Sequence, residues 1–343
     1  MFKKQQFGID LGSDLIKIYN VRKNTLLKEK NMIAVMDKDT YLAIGNDAYE
    51  MYEKNPKNVR VMIPMSEGMI ADIGSLEIIL YSLLRKASPH LSKSPELYFA
   101  VPTDMTQIEK RAYYMLTRNG AFQDCRVFLI NRPIADAIAL GISVKNTKGE
   151  MIVNIGAQST EISVIADSRV ILSRVLPVGG FTIDTEIVDS VRRYHQLFIG
   201  MRTAARLKMA MGNIEEEKRE ARKAMGISSV TGLPKEGTVV SEVVNKAVLS
   251  VIDRIGEDIR SVLERTPPQV RSEIHKNGFY LLGGTSSLPG IDRYLAETLE
   301  YPVLLSRFTD EGTIHGLQEI IASKDLTRQW AYPADGKKKK KKR

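Results

Sequence analysis

The sequence predicts an α/β protein of two lobes, the second repeating the plan of the first. Three observations carry this. Short apolar runs alternate with helix-period segments, a Gly-turn hairpin occurs twice at a constant offset, and 343 residues are enough for roughly two domains. The apolar runs predict strands at Phe7–Leu11, Ile16–Val21, Leu97–Val101, Val127–Ile130, Met151–Ile155, Glu161–Ala166, Phe279–Leu282 and Val303–Leu305. In 72–86 the apolar residues Ile73, Leu76, Ile79, Leu80, Leu83 and Leu84 recur at three- and four-residue spacing, which makes one helical face. In 246–263 Val248, Val251, Ile252, Ile255, Ile259, Val262 and Leu263 do the same. Pro267-Pro268 stops that second helix, because proline lacks the N–H a helix interior needs.

The repeat sets Phe7-Gly8-Ile9-Asp10-Leu11-Gly12-Ser13 beside Met151-Ile152-Val153-Asn154-Ile155-Gly156-Ala157. Ile9 matches Val153, Asp10 matches Asn154, Leu11 matches Ile155 and Ile18 matches Ile162, always 144 residues apart. Each copy runs a strand into a turn of small residues and out along a second strand. Such turns expose consecutive backbone N–H groups, a nest suited to phosphate, and an acid closing the first strand suits Mg²⁺. One copy alone is an ordinary hairpin; two in register predict a polyphosphate site in a cleft between lobes. A third turn, Gly283-Gly284-Thr285-Ser286-Ser287, follows the strand at 279–282. It presents backbone to a base or ribose, or else simply connects strand to helix through an N-cap serine.

Composition excludes several classes. A 43% hydrophobic share with 27% charged residues is ordinary for a globular protein, so whole-chain disorder is excluded. Cys125 is the single cysteine, so no internal disulfide exists and a reducing compartment is expected. No apolar run approaches the roughly 18 residues of a membrane span, and the basic first residues have no signal-peptide core. The net charge of +9 invites a nucleic-acid reading, but the last seven residues are all basic, and setting them aside leaves +2 on residues 1–336. A near-neutral body without a basic, aromatic face argues against nucleic acid. His90, His195, His275 and His315 have no metal-ligand spacing, and Glu215–Glu220 is expected to be a solvated helical face.

The residues resemble the actin-like ATPases, and among them the MreB family, over nearly the whole chain. The resemblance is carried by Ile9-Asp10-Leu11-Gly12-Ser13, Ile63-Pro64-Met65, Gly68-Met69-Ile70-Ala71-Asp72, Val178-Gly179-Gly180, Ile199-Gly200 with Arg202-Thr203-Ala204, Val230-Thr231-Gly232-Leu233-Pro234-Lys235, Glu264-Arg265-Thr266-Pro267-Pro268 and Leu282-Gly283-Gly284. It implies an actin-like fold with ATP in the cleft, possible Mg²⁺, and assembly into filaments. Its subdomains would be 1–30, 66–141 and 312–330 (lobe I, large), 31–65 (lobe I, small), 142–181 and 246–311 (lobe II, large), and 182–245 (lobe II, small). A linker at 331–336 and a disordered basic tail would follow. Carried onto this chain, the nucleotide residues are Gly12, Ser13, Asp14, Leu15, Lys17, Gly156, Ala157, Gln158, Ser159, Ala205, Lys208, Gly283, Gly284, Thr285, Ser286 and Ser287. Asp10 is the metal and catalytic carboxylate.

The departures from the family pattern bear on catalysis. Asn154 stands where the family has a carboxylate that organises Mg²⁺ and water, and an amide cannot act as a general base. Asn131-Arg132-Pro133 replaces Glu-Glu-Pro, whose second Glu orients the hydrolytic water. On the nucleoside helix Glu-x-x-Lys is reduced to Ala205 and Lys208, and losing that charged hydrogen bond costs about 1.5–3 kcal/mol. Together these changes make the phosphate side more positive than is usual in the family, which favours a triphosphate with less dependence on Mg²⁺. The expectation is weak ATP binding with slow or absent hydrolysis. The alternatives are an active ATPase with its catalytic group relocated, or a nucleotide-silent scaffold that co-assembles with another MreB-like chain.

The resemblance also places the protein at the inner face of the cell membrane, organising shape and wall synthesis with the membrane's wall-building machinery. Phe2, Lys3 and Lys4, with Lys337, Lys338, Lys339, Lys340, Lys341, Lys342 and Arg343, are the candidates for contact with an anionic bilayer. The ordinary alternative for the tail is a solvated extension.

Overall fold

The computed structural model describes residues 4–37, 40–92, 94–118, 125–215 and 219–335. The chain divides into two compact units, residues 1–147, 168–173 and 311–343 forming the first, and 148–167 with 174–310 the second. In chain order the elements begin β1 (Gln6–Leu11), β2 (Leu15–Asn20), β3 (Thr25–Lys30), β4 (Ile33–Met36), β5 (Thr40–Ile44), α1 (Gly45–Met51), β6 (Val59–Met62), β7 (Met65–Ser66) and β8 (Met69–Ile70). Next come α2 (Ile73–Ala87), β9 (Glu96–Val101), α3 (Gln107–Met115), β10 (Arg126–Asn131), α4 (Arg132–Ala139), β11 (Glu150–Ile155), β12 (Thr160–Ala166), β13 (Arg169–Leu176), α5 (Gly180–His195) and β14 (Leu197–Phe198). They continue with α6 (Met201–Met211), β15 (Ala221–Ser228), β16 (Pro234–Val240), α7 (Ser241–Arg265), α8 (Pro268–Asn277), β17 (Phe279–Leu282), α9 (Ile291–Leu299) and β18 (Val303–Leu305). The last are α10 (Gly312–Ala322), α11 (Lys324–Trp330) and β19 (Tyr332–Pro333).

The duplication is visible in the sheets. In unit 1 the order is β3-β2-β1-β9-β10, with β19 added at the edge beside β10. In unit 2 it is β13-β12-β11-β17-β18. In both, the first hairpin is antiparallel and the strands that follow join in parallel, β1 with β9 and β9 with β10, then β11 with β17 and β17 with β18. Parallel neighbours need helical crossovers, which cover the sheet faces. That is why β9 is buried along its whole length and reads as an apolar run from Leu97 on.

The helices form where the spacing predicts. Asp72 caps α2, its carboxylate accepting from the Ser75 N–H at 3.1 Å. Leu76, Ile79, Leu80, Leu83 and Leu84 then bury one face in the core with Phe7, Ile9, Leu11, Ile16, Ile18, Leu97 and Phe99. Each such side chain contributes about 1.5–3 kcal/mol on leaving water. α7 begins at Ser241, earlier than the periodic stretch from Lys246, and Val243, Val244 and Ala247 extend its buried face by a turn. Pro267 and Pro268 end it and also open α8, where a missing N–H costs nothing. Three expectations need correction. The predicted linker at 331–336 is not free: β19 pairs antiparallel with β10, and the Ala334 N–H donates to the Val127 carbonyl at 3.0 Å. Pro333 is tolerated there because the strand lies at a sheet edge. The second strand of the first hairpin runs 15–20, one residue earlier than read, since Leu15 already pairs with Lys30. Of the helical face expected at 215–220, residues 216–218 lie outside the described residues, and neither Glu215 nor Glu220 is helical. α6 ends at Met211, Glu215 pairs with Arg293, and the Glu220 N–H donates to Ser241 Oγ. No helix among the described residues is long and apolar enough to cross a membrane.

Candidate nucleotide site

The two hairpin turns have the same internal construction. In the first, the Gly12 N–H donates to the Leu15 carbonyl at 3.1 Å; in the second, the Gly156 N–H donates to the Ser159 carbonyl at 2.9 Å. Both bonds lie 144 residues apart, as the repeat predicts. A Cβ at Gly12 would lie 2.6 Å from the Leu15 oxygen and one at Gly156 2.9 Å from the Ser159 oxygen, so a side chain at either position would spread its turn. Each closed turn leaves two consecutive amides over. Among the described residues, the N–H groups of Ser13 and Asp14, and of Ala157 and Gln158, donate to no protein acceptor. Paired free amides in a tight turn form an anion nest, so the backbone present fits a phosphate in both units.

Side chains brace the first turn. Asn31 Nδ2 donates to the Gly12 carbonyl at 2.9 Å, and the Asn31 N–H donates to the Asp14 carbonyl at 2.8 Å. Lys30 Nζ holds both Asp14 carboxylate oxygens, at 2.8 and 2.9 Å. Asp10 closes β1 directly across from Lys17 on β2, and Lys17 Nζ donates to Asp10 Oδ2 at 3.0 Å. Each of these two residues is only 6% exposed.

In unit 2 three segments converge on the second turn. The Gly156 carbonyl accepts from the Gly180 N–H at 3.0 Å and from Thr285 Oγ1 at 2.9 Å, and the Ala157 carbonyl accepts from the Phe181 N–H at 2.7 Å. The turn, the start of α5 and the third glycine turn thus form one cluster. Gly179-Gly180 was not among the site residues expected from sequence, although it lies in a stretch that carries the family resemblance. Gly283 has φ +96°, and a Cβ there would meet the Ile155 carbonyl and lie 2.6 Å from Asn154 Oδ1. Ser286 and Ser287 do not reach outward and do not cap α9. Their hydroxyls donate to the Gly283 and Gly284 carbonyls at 2.7 Å, closing a 3-10 turn over Gly284–Ser287. Lys208 Nζ is already engaged with Asp184 Oδ1 at 2.8 Å and the Gly180 carbonyl at 2.8 Å. It ties α6 to α5, while Ala205 lies half-buried one turn before it on α6.

Arg132 is the first residue of α4, where its charge opposes the positive end of the helix dipole. Asn131, one residue before, accepts from the Tyr332 hydroxyl at 3.2 Å. Asn154 lies opposite Glu161 on β12, the same cross-strand position that Asp10 and Lys17 occupy in unit 1. The residues do not fit a divalent cation. The two acids of the first hairpin, Asp10 and Asp14, are both paired with lysines, the position equivalent to Asp10 is an amide, and the described residues contain no cluster of three metal-ligating groups. Phe2, Lys3 and the tail 337–343 lie outside the described residues; Lys4 is exposed.

Twin sheets of identical order, each carrying a nest at its first hairpin, define an actin-like fold. The solved structures agree. MreB5 of Spiroplasma citri bound to ADP superposes with a TM-score of 0.88 at 23% identity, over 95% of this chain and 98% of that one. A MamK double helical filament gives a TM-score of 0.77 at 18% identity, over 93% and 99%. The family model for MreB/Mbl protein matches residues 4–329. Two relatives match at similar strength: the cell shape-determining protein Mbl of Bacillus cereus is 32% identical over 88% of this chain and 91% of its own, and MreB of Escherichia coli 31% over 87% and 88%. The chain belongs to the MreB/Mbl family.

Proposed function

We propose that this chain is a cell-shape filament protein that assembles with copies of itself, or with another MreB-like chain. It binds ATP weakly and turns it over slowly or not at all. The observation that carries the reading is a contrast within the duplicated site. Both nests keep their free amides, while the groups that would handle water are replaced by Asn154 and Arg132. Amides hold phosphate in any protonation state, whereas hydrolysis needs a base or a water-orienting acceptor, worth about 10²–10⁴-fold in rate. The relatives' names support the shape-determining role, and the nucleotides named with the MreB5 structures support the ligand class. The same reading extends to the four-subdomain division and to work at the inner face of the cell membrane beside the wall-building machinery, with the basic tail meeting anionic lipid.

The test is ATP binding and phosphate release by the full chain and by Arg132→Glu/Asn154→Asp. Binding with little release, and a large gain of release in the double variant, is the expected result. A loss of release in the double variant supports the alternative of an active ATPase with its catalytic group relocated, a role an arginine's stabilisation of phosphoryl transfer permits. No binding at all makes the chain a nucleotide-silent scaffold.

A further inference from the structure

We propose that Gln158 orients the water that attacks the terminal phosphate of ATP, so that slow turnover runs through this one side chain. This rests on the reading of the two turns as phosphate nests and deepens it. Gln158 and Asp14 are equivalent positions: each is the third residue of its turn, 144 residues apart, and each gives a free N–H to its nest. Their side chains differ. Asp14 is held at both carboxylate oxygens by Lys30. The Gln158 carboxamide bonds to nothing among the described residues, and its Oε1 is buried. A buried acceptor left without a donor is costly, so the geometry points to a donor from outside the chain. The backbone beneath it is fixed. The Gly156 carbonyl is taken by Gly180 and Thr285, the Ala157 carbonyl by Phe181 and the Ser159 carbonyl by Gly156, so a peptide flip in the turn would break these bonds. Gln158 therefore hangs from a rigid support at the second nest.

The step balances without a base. The water oxygen bonds to the terminal phosphorus while the bond from that phosphorus to the bridging oxygen breaks, and ADP leaves with the electron pair. The water proton passes to an oxygen of the transferred phosphoryl group, since an amide cannot take it, and the products are ADP and inorganic phosphate. Oε1 accepts from the water and Nε2 donates to a phosphoryl oxygen, which fixes the line of attack. Phosphoryl transfer passes through a loose transition state, so positioning is most of what a protein supplies, and a glutamine can supply it. Without a carboxylate at Asn154 or Arg132 the turnover stays slow. The two nests thereby take different parts: the first has its side chain locked by an ion pair, and the second has its side chain open to water.

The experiment measures phosphate release and nucleotide affinity for the full chain, Gln158→Ala and Gln158→Glu. Gln158→Ala is expected to lower release by about a hundredfold. Its Kd for ATP is expected to stay within about threefold, because backbone amides hold the phosphates. It is also expected to lose about tenfold or more in affinity for ADP with aluminium fluoride, a transition-state mimic that holds a water in line. Gln158→Glu keeps an acceptor for the water and is expected to release phosphate faster than Gln158→Ala. Unchanged release and unchanged aluminium fluoride affinity in Gln158→Ala overturn the role given to Gln158. An equal loss of affinity for ATP and for the mimic marks a structural part in the turn and overturns it too. A full chain that binds ATP and releases no phosphate also overturns the proposal, and leaves the nests standing. No ATP binding by the full chain overturns the nest reading itself, and this inference with it. Gln158→Asn, which withdraws the carboxamide by one methylene, repeats the comparison if Gln158→Ala fails to fold.

Discussion

Asp10 and Lys17 face each other across the first hairpin as a buried ion pair, and the residues 144 positions later, Asn154 and Glu161, take the same cross-strand places as an amide and an acid. The duplicated scaffold has kept its register while its charges diverged. In unit 1 the pair is self-neutralising, so removing one partner leaves the other buried and uncompensated. Lys17→Ala is therefore expected to destabilise the chain by about 3–5 kcal/mol in urea denaturation. Asp10→Asn/Lys17→Met, which removes both charges, is expected to recover most of that loss, because a buried pair replaced by neutral groups of similar size is nearly neutral in stability. Equal stability of the single and double variants would show that the pair is not coupled.

Gly283 is held by its conformation as much as by its space. Its φ of +96° disfavours any residue with a Cβ, and that atom would meet the Ile155 carbonyl and Asn154 Oδ1. Gly283→Ala combines backbone strain of about 1–3 kcal/mol with a displaced β11 end. It is expected to lower the melting temperature by several degrees and to weaken ATP binding together, since Thr285 ties the same turn to the Gly156 carbonyl. An unchanged melting curve would contradict the packing.

Much of the fold was legible because its signals are local. The two hairpins announce themselves by an apolar strand, a glycine turn and a fixed offset, and α2 and α7 by three- and four-residue spacing. β19 was missed because Tyr332–Pro333 has no period of its own; it exists only because the edge of β10 is open to pair. The site divides in the same way. Gly12 and Gly156 could be read from sequence because the turn demands them. That Lys17 bonds Asp10, and that Lys208 is engaged with Asp184 and the Gly180 carbonyl, depends on register and tertiary placement. The inward-turned hydroxyls of Ser286 and Ser287 follow from a 3-10 turn that no spacing rule distinguishes from a helix cap.

Tyr98 gives a prediction in alkali. Burial, and next the neighbouring Glu96, which accepts from its hydroxyl at 3.1 Å, push its phenol well above the ordinary tyrosine range. Its ring also stacks on Phe128 with centroids 4.8 Å apart. A folded pKa above the unfolded value of about 10 means that the stabilisation is fully present below that pH and is lost as pH rises toward the folded value. Ultraviolet titration should show exposed tyrosines ionising first and Tyr98 only as the protein unfolds. Tyr98→Phe should shrink that late component by one tyrosine. It leaves Gln6 Nε2 without its 3.3 Å acceptor, and Gln6 retains Glu96 at 3.0 Å.

The basic tail separates body charge from placement. Residues 337–343 supply seven of the nine net positive charges, so their removal leaves a nearly neutral protein. Each basic residue near an anionic bilayer contributes about 1 kcal/mol, and if about half of them reach the surface together the gain is about 3 kcal/mol, roughly a hundredfold in binding. Deleting Lys337–Arg343 is expected to weaken sedimentation with anionic vesicles by about that factor at low salt, and to leave binding to neutral vesicles unchanged. The difference should shrink as salt rises, because the screening length falls to about 10 Å at 0.1 M. If the truncated chain binds anionic vesicles as the full chain does, the contact belongs to another surface, and the tail is a solvated extension.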